Sequence, residues 1–251
     1  MKFILCLLLA TVVPWFAAET SGRTIRFRTL CFEFAAGERE VTVSGDPTLA
    51  SKATIGLTRR LDSSQNQISV TGEQVVLGKL GTNGAGKPAM EAMAVAKLPV
   101  SGSEFLFLLV PSGKDSGEVY RCLVLPDDTA NFPAGGFRLI NMSPAKLRFA
   151  MGDERLELLP GTIKVLGHIS GAAEDGRFAY VVQYQDGEVW NRLSTGFWTR
   201  RDSIRSLQVA FRDPLTQRLV MRGYDDTLAR ANEPRAAEAK ANDARSTRLP
   251  P

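Results

Sequence analysis

Glu104-Phe105-Leu106-Phe107-Leu108-Leu109-Val110 is an unbroken apolar run behind one acidic residue, and Glu118-Val119-Tyr120-Arg121-Cys122-Leu123-Val124-Leu125 returns across a polar loop. A half-buried strand alternates apolar with polar; a short run without alternation reads as a strand covered on both faces. Between the two lies Pro111-Ser112-Gly113-Lys114-Asp115-Ser116-Gly117, and after them Pro126-Asp127-Asp128. Both are turn chemistry, so the segments form a long hairpin inside stacked sheets.

The same logic extends towards the N-terminus. In Thr24–Phe34, Ile25 and Phe27 alternate with Arg26 and Arg28, and the apolar phase then moves to Leu30, Phe32 and Phe34. That change predicts a bulge or a crossing between sheets. Glu40–Ser44 alternates again and pairs with it across Ala35–Glu38. Short strands are expected around Ile55 and Leu57, Ile68 and Val70, and Gln74–Leu77, with loops at Asp62–Asn66 and at glycine-rich 78–88. Met90–Val95 has helix-favouring residues, but its shortness and the following Leu98-Pro99 make it a strand.

Towards the C-terminus, Asn131-Phe132-Pro133-Ala134-Gly135-Gly136 marks a junction, and strands follow at Phe137–Asn141, Lys146–Ala150, Leu156–Leu159 and Ile163–Leu166. Phe178–Tyr184 and Glu188–Leu193 flank Gln185-Asp186-Gly187, a strong hairpin signal. Phe197-Trp198 belongs to a further short segment. Ser206–Arg212 and Gln217–Arg222 flank a polar turn. About a dozen short strands with turn chemistry between them define an all-β protein of antiparallel β-sandwich architecture. The expected arrangement is two Ig-like sandwich units in tandem, 22–130 and 131–224; one larger sandwich is the rival. Phe34–Arg39 and Phe149–Arg155 echo each other and would be equivalent hairpins of a duplicated unit.

The two ends differ from this body. Residues 1–18 combine Lys2, an apolar block and small residues before Glu19, the layout of a secretory signal cleaved after Ala18. The expected location is secreted or periplasmic, with no transmembrane segment in the mature chain. Residues 225–251 are rich in Ala, Arg, Glu, Asn and Pro and read as a disordered polar tail.

Composition narrows the function. Of 251 residues, 31 are Lys or Arg and 27 Asp or Glu, a formal charge of +4 spread along the chain. No basic stripe with interleaved aromatics points to nucleic acid. Cys31 and Cys122 remain after Cys6 leaves with the leader, and in an oxidising compartment they can pair or stay as separate buried thiols. Gly81-Thr82-Asn83-Gly84-Ala85-Gly86-Lys87-Pro88 has the spacing of a phosphate-cradling loop, but Pro88 stands where a magnesium-holding hydroxyl is needed. It is a surface loop. His168 is the single histidine, and no nucleophile elbow accompanies it. Asp127-Asp128 and Asp225-Asp226 lack calcium-loop spacing and read as solvated turns. Asn141-Met142-Ser143 fits a glycosylation acceptor, but the following Pro144 disfavours it. No metal or cofactor is expected, and no carboxylate pair stands out among Glu104, Glu118 and Glu188.

The binding residues are therefore sought among the aromatics. Tyr180, Tyr184, Trp190, Phe197 and Trp198 cluster in sequence before Arg200, Arg201 and Arg205. Phe197, Trp198, Arg200 and Arg201 are the candidate surface, since exposed rings beside arginines stack on sugars or hold anionic polymers. The bland alternative puts Trp190 and Tyr180 in the sandwich core.

Phe137–Pro144, followed by a short hairpin and Leu159-Pro160-Gly161-Thr162, resembles the opening of small exported β-domains of bacterial cell-surface proteins. The C-terminal half resembles uncharacterised secreted all-β proteins of verrucomicrobial and planctomycete-type bacteria. That resemblance implies an envelope or extracellular β-sandwich and carries no site residues. The function expected is a non-catalytic module binding a protein or polysaccharide of the envelope. A glycan hydrolase and a structural component of an assembly are the alternatives.

Overall fold

A computed structural model describes residues 22–61, 64–112, 117–213 and 216–227; residues 1–18, expected to be a secretory signal, and the chain beyond Thr227 lie outside them. Sixteen strands are described, with a single 3₁₀ turn at Ala35–Gly37. The first eight are β1 (Arg23–Cys31), β2 (Glu40–Ser44), β3 (Lys52–Gly56), β4 (Asn66–Val70), β5 (Gln74–Thr82), β6 (Pro88–Lys97), β7 (Glu104–Pro111) and β8 (Tyr120–Pro126). The second eight are β9 (Phe137–Asn141), β10 (Leu147–Met151), β11 (Glu154–Leu158), β12 (Ile163–Leu166), β13 (Arg177–Asp186), β14 (Val189–Thr199), β15 (Ile204–Arg212) and β16 (Leu219–Thr227).

These strands build four sheets: β3-β2-β5-β6 and β4-β1-β7-β8 in the first unit, β12-β9-β15-β16 and β11-β10-β13-β14 in the second. Adding eight to every strand number of the first unit reproduces the second. The likeness reaches the pairing: β1 runs parallel to β7, and β9 parallel to β15, whereas the other ladders are antiparallel. Both outer hairpins break register in corresponding places, at Leu77/Gly78 and at Val182/Gln183. The chain is thus two sandwich units of one topology, joined through Asp127–Gly136.

Three apolar cores make the units one four-layered stack. Ile25, Phe27, Val43, Leu77, Phe105 and Phe107 fill the first sandwich. Phe137, Phe149, Phe178 and Val182 fill the second. Leu30, Leu106, Leu108, Ile140, Leu207, Val209 and Phe211 lie between the two inner sheets. Each inner strand is therefore buried on both faces, which is why Phe105–Val110 shows no alternation.

The phase change in Thr24–Phe34 has the same cause and is not a bulge or a sheet crossing. β1 keeps its register with β7 from Arg26 to Cys31. Its odd positions face the first core, and from Leu30 its even positions face the inter-unit core. The echo Phe34–Arg39 against Phe149–Arg155 does not hold either: the first spans the 3₁₀ turn before β2, and the second spans the β10–β11 hairpin. The true counterpart of that hairpin is β2–β3.

Other expectations are corrected locally. The glycine-rich loop is shorter than 78–88, because Gly78–Thr82 belongs to β5 and Pro88 to β6. The Asn83 carboxamide oxygen closes the turn by accepting from Ala85 and Lys87 backbone N–H. Cys31 and Cys122 are free thiols. Both face Leu109, one from each side of β7, so their Cα atoms stand two strand spacings apart, roughly 10 Å, beyond disulfide reach. β16 continues through Asp225 and Asp226 to Thr227, so the tail does not begin at 225.

A buried charged cluster pins the units together. Arg28, Arg138 and Arg205 are each 2% exposed, and Asp226 is fully buried. Arg28 of the first unit donates to both Asp226 oxygens at 2.9 Å and to Asp127 at 2.8 and 3.0 Å. Arg205 also donates to Asp226 and Asp127. Burial alone would raise the Asp226 carboxyl, but Arg28 and Arg205 outweigh it and hold it below the usual carboxylate range. The Phe132 ring lies under Arg138 at 4.2 Å and Arg205 at 4.8 Å. The Asp pairs expected to be solvated turns thus supply the acids of this lock.

Candidate functional site

The inner strand β15 alternates between two environments. Leu207 and Val209 face the first unit, while Ala210 belongs to the second sandwich core. Ser206 and Gln208 share the phase of Ala210, so two polar side chains enter the space between the sheets of the second unit. Gln208 is 6% exposed, and its amide makes no hydrogen bond to any described residue. The amide lies across Gly223, where a β-carbon would stand 2.7 Å from its oxygen. Ser206 Oγ bonds the Asp225 carboxylate at 2.6 Å.

Opposite them stands an aromatic wall. Phe178 pairs with Trp198 across β13–β14, and Phe178 is buried, so Trp198 points inwards. Its ring stacks on Tyr180 at 3.9 Å and on Phe137 at 5.8 Å. The Tyr180 hydroxyl is tied to Ser194 at 3.0 Å. β14 and β16 are the edges of their sheets and form no ladder with each other. Between those edges opens a pocket of about 210 Å³, lined by Phe137, Trp198, Arg201, Ser206, Gln208 and Asp225, with Phe197 also on its rim. This is smaller than drug-sized ligand sites, which begin near 300 Å³, and suits one small ring.

Of the four residues expected to form a binding surface, three meet at this pocket. Phe197 is 61% exposed on the outer face of β14, with Arg177 stacked over it at 4.1 Å. Arg201 is exposed at the lip. Trp198 is not an exposed ring but the inner wall. Arg200 is turned away: it pairs with Asp202 at 2.8 Å and its guanidinium lies against Gly135 of the junction. The outward tryptophan is instead Trp190, half-buried beneath Arg148 at 4.0 Å and Lys146 at 5.9 Å. Glu157 bonds both cations, which hold its carboxyl below the ordinary range. Sequence pattern places Ser206 and Gln208 only in a strand and Asp225 only in a solvated turn, so none of the three is expected at this pocket. The signal was present, since Ser206, Gln208 and Ala210 interrupt what Leu207, Val209 and Phe211 would otherwise make a two-faced apolar strand.

A larger groove of about 530 Å³ lies between β8 and the β9–β12 edge. It is the weaker site, because its buried polar side chains, Asn141 and Ser143, already satisfy each other and nearby carbonyls. Asn141 donates to Ala145 and Leu158 carbonyls and accepts from Ser143. Full burial also removes Asn141 as a glycan acceptor. His168 is exposed and lines neither cavity. Among the described residues, no three His, Cys, Asp or Glu side chains cluster so as to hold a metal ion, and no helix is long and apolar enough to cross a membrane. In the comparisons with known proteins, no family model and no curated protein matches this chain.

Proposed function

We propose that this chain is an exported, non-catalytic β-sandwich module that binds a polysaccharide of the cell envelope or extracellular space through its second unit. The signal-like layout of residues 1–18 supports export. The observation that carries the binding role is the convergence of an aromatic wall, a polar floor and a cationic lip on the β14/β16 pocket. Sugar rings have apolar faces that stack on aromatic rings and hydroxyls that exchange hydrogen bonds with amides, carboxylates and serines. The outer face of the same sheet carries Lys146, Arg148, Arg155, Arg177 and Arg192 against Glu157, a cationic surface that attracts an anionic polymer.

Co-sedimentation with insoluble envelope polysaccharide tests this. Phe197→Ala with Arg201→Ala is expected to weaken binding at least about tenfold, or 1.4 kcal/mol, with little change in melting temperature because both side chains are exposed. Unaltered binding by the double variant would remove the reading.

A further inference from the structure

The two units, read as duplicates, provide an internal control on the pocket. Phe32 N–H bonds Leu109 carbonyl in the first unit, and Met142 N–H bonds Ala210 carbonyl in the second. This aligns Phe27 with Phe137, Phe105 with Ser206 and Phe107 with Gln208. The β7–β8 and β15–β16 ladders then align Val124 with Gly223 and Pro126 with Asp225. The corresponding bulges align Val75 with Tyr180 and Leu98 with Trp198.

In the first unit the inner-sheet wall is therefore aromatic, with Phe27 stacked on Phe107 at 4.9 Å, and aliphatic side chains face it. In the second unit the bulk has changed sides. Two phenylalanine positions have become Ser206 and Gln208, a valine position has become glycine, and the outer sheet carries Tyr180 and Trp198. The Gln208 amide is not sealed off from solvent: it lies over exposed Gly223 and faces the pocket without a hydrogen bond to any described residue. A carboxamide presented to a pocket in this way keeps both a donor and an acceptor for whatever enters.

We infer that the second unit holds a single sugar ring between Trp198 and Gln208, with the first unit as its closed, ligand-free counterpart. This rests on the polysaccharide reading above and narrows it. The ring is a chain end or branch, because a 210 Å³ pocket open at one edge admits one ring and not a continuous strand of them. Its vicinal hydroxyls are recognised by the Gln208 amide, one donating and one accepting, with Ser206 and Asp225 beside them.

The test uses the full chain and four free probes: glucose, galactose, N-acetylglucosamine and glucuronate. Each is titrated by calorimetry and used to displace the bound polysaccharide. At least one is expected to bind at millimolar concentration and compete. Gln208→Leu, nearly the same size, is expected to weaken both probe and polymer binding at least tenfold and to raise the melting temperature. Ser206→Phe, which restores the first unit's residue at the pocket mouth, is expected to lose binding as well. Polymer binding that no probe displaces and that Gln208→Leu leaves intact would overturn this inference while sparing the broader one. A lower melting temperature for Gln208→Leu would show a structural partner for the amide and overturn it too. If the wild-type chain binds neither polymer nor probe, both readings fall.

Discussion

Asp226 stands between Arg28 of the first unit and Arg205 of the second, without exposure to water. Replacing it with Asn removes one of the two carboxylates that the buried Arg28 and Arg205 share, leaving Asp127 to face both. Breaking such a cluster from one side costs about 3–5 kcal/mol, to be read from urea denaturation of Asp226→Asn. The pH dependence has a definite sign. The folded carboxyl sits below its unfolded value near 3.9, so its contribution is complete above that value and is lost as pH falls through the folded one. Acid titration below about pH 4 is expected to loosen the unit junction first. The thiols behave oppositely to reactive cysteines. Burial pushes Cys31 up to about 11 and Cys122 up to about 12. Neither is expected to react with a thiol reagent at pH 8 until the chain is unfolded, and peptide mapping should recover both reduced. The tryptophans show what residue-level reading can and cannot do. Trp190 and Trp198 lie an even number of positions apart, which places them on one face of a regular strand. The extra residue at the Val182/Gln183 irregularity reverses the phase, so one faces water and the other the core. Composition does not announce a bulge, and the two rings exchange roles because of it.

The elements themselves were largely legible, because each is short, strongly β-favouring and bounded by turn residues. Phe105–Val110 and the Asp186-Gly187 hairpin both read correctly from local pattern. What local pattern could not supply was which surface covers the second face of an inner strand. Hence Leu30 and Phe32 looked like a bulge when they were an inter-unit contact. Gly176 illustrates an element boundary that the site depends on. It has φ +77°, and a β-carbon there would lie 2.3 Å from the Arg200 carbonyl oxygen. Its own carbonyl accepts from Arg200 N–H at 2.8 Å, which holds the turn leading to Arg201. Gly176→Ala is expected to cost about 1–3 kcal/mol in denaturation and to weaken polysaccharide binding by displacing that turn. A variant as stable as wild type would show that the turn relaxes freely.

At the scale of the molecule, the inter-unit core decides cooperativity. Leu106, Leu108, Leu207 and Val209 would face water if the units separated. A two-state transition is therefore expected, with tryptophan fluorescence from the second unit and far-ultraviolet dichroism from both changing together. Leu207→Ala should lower that single midpoint by the 2–5 kcal/mol typical of such truncations, rather than split it. The unit 131–227 expressed alone should aggregate through its bared inner sheet. Two midpoints in the intact chain would contradict this.

The parallel ladders have a consequence of their own. In each unit the first strand is held between the fourth and the seventh, so it cannot be seated until nearly the whole unit has been synthesised. Contacts so distant along the chain close slowly. A ribosome delivering this polypeptide from its N-terminus therefore presents the first strand of each half well before its seventh-strand partner exists, and for that interval that strand remains a thread.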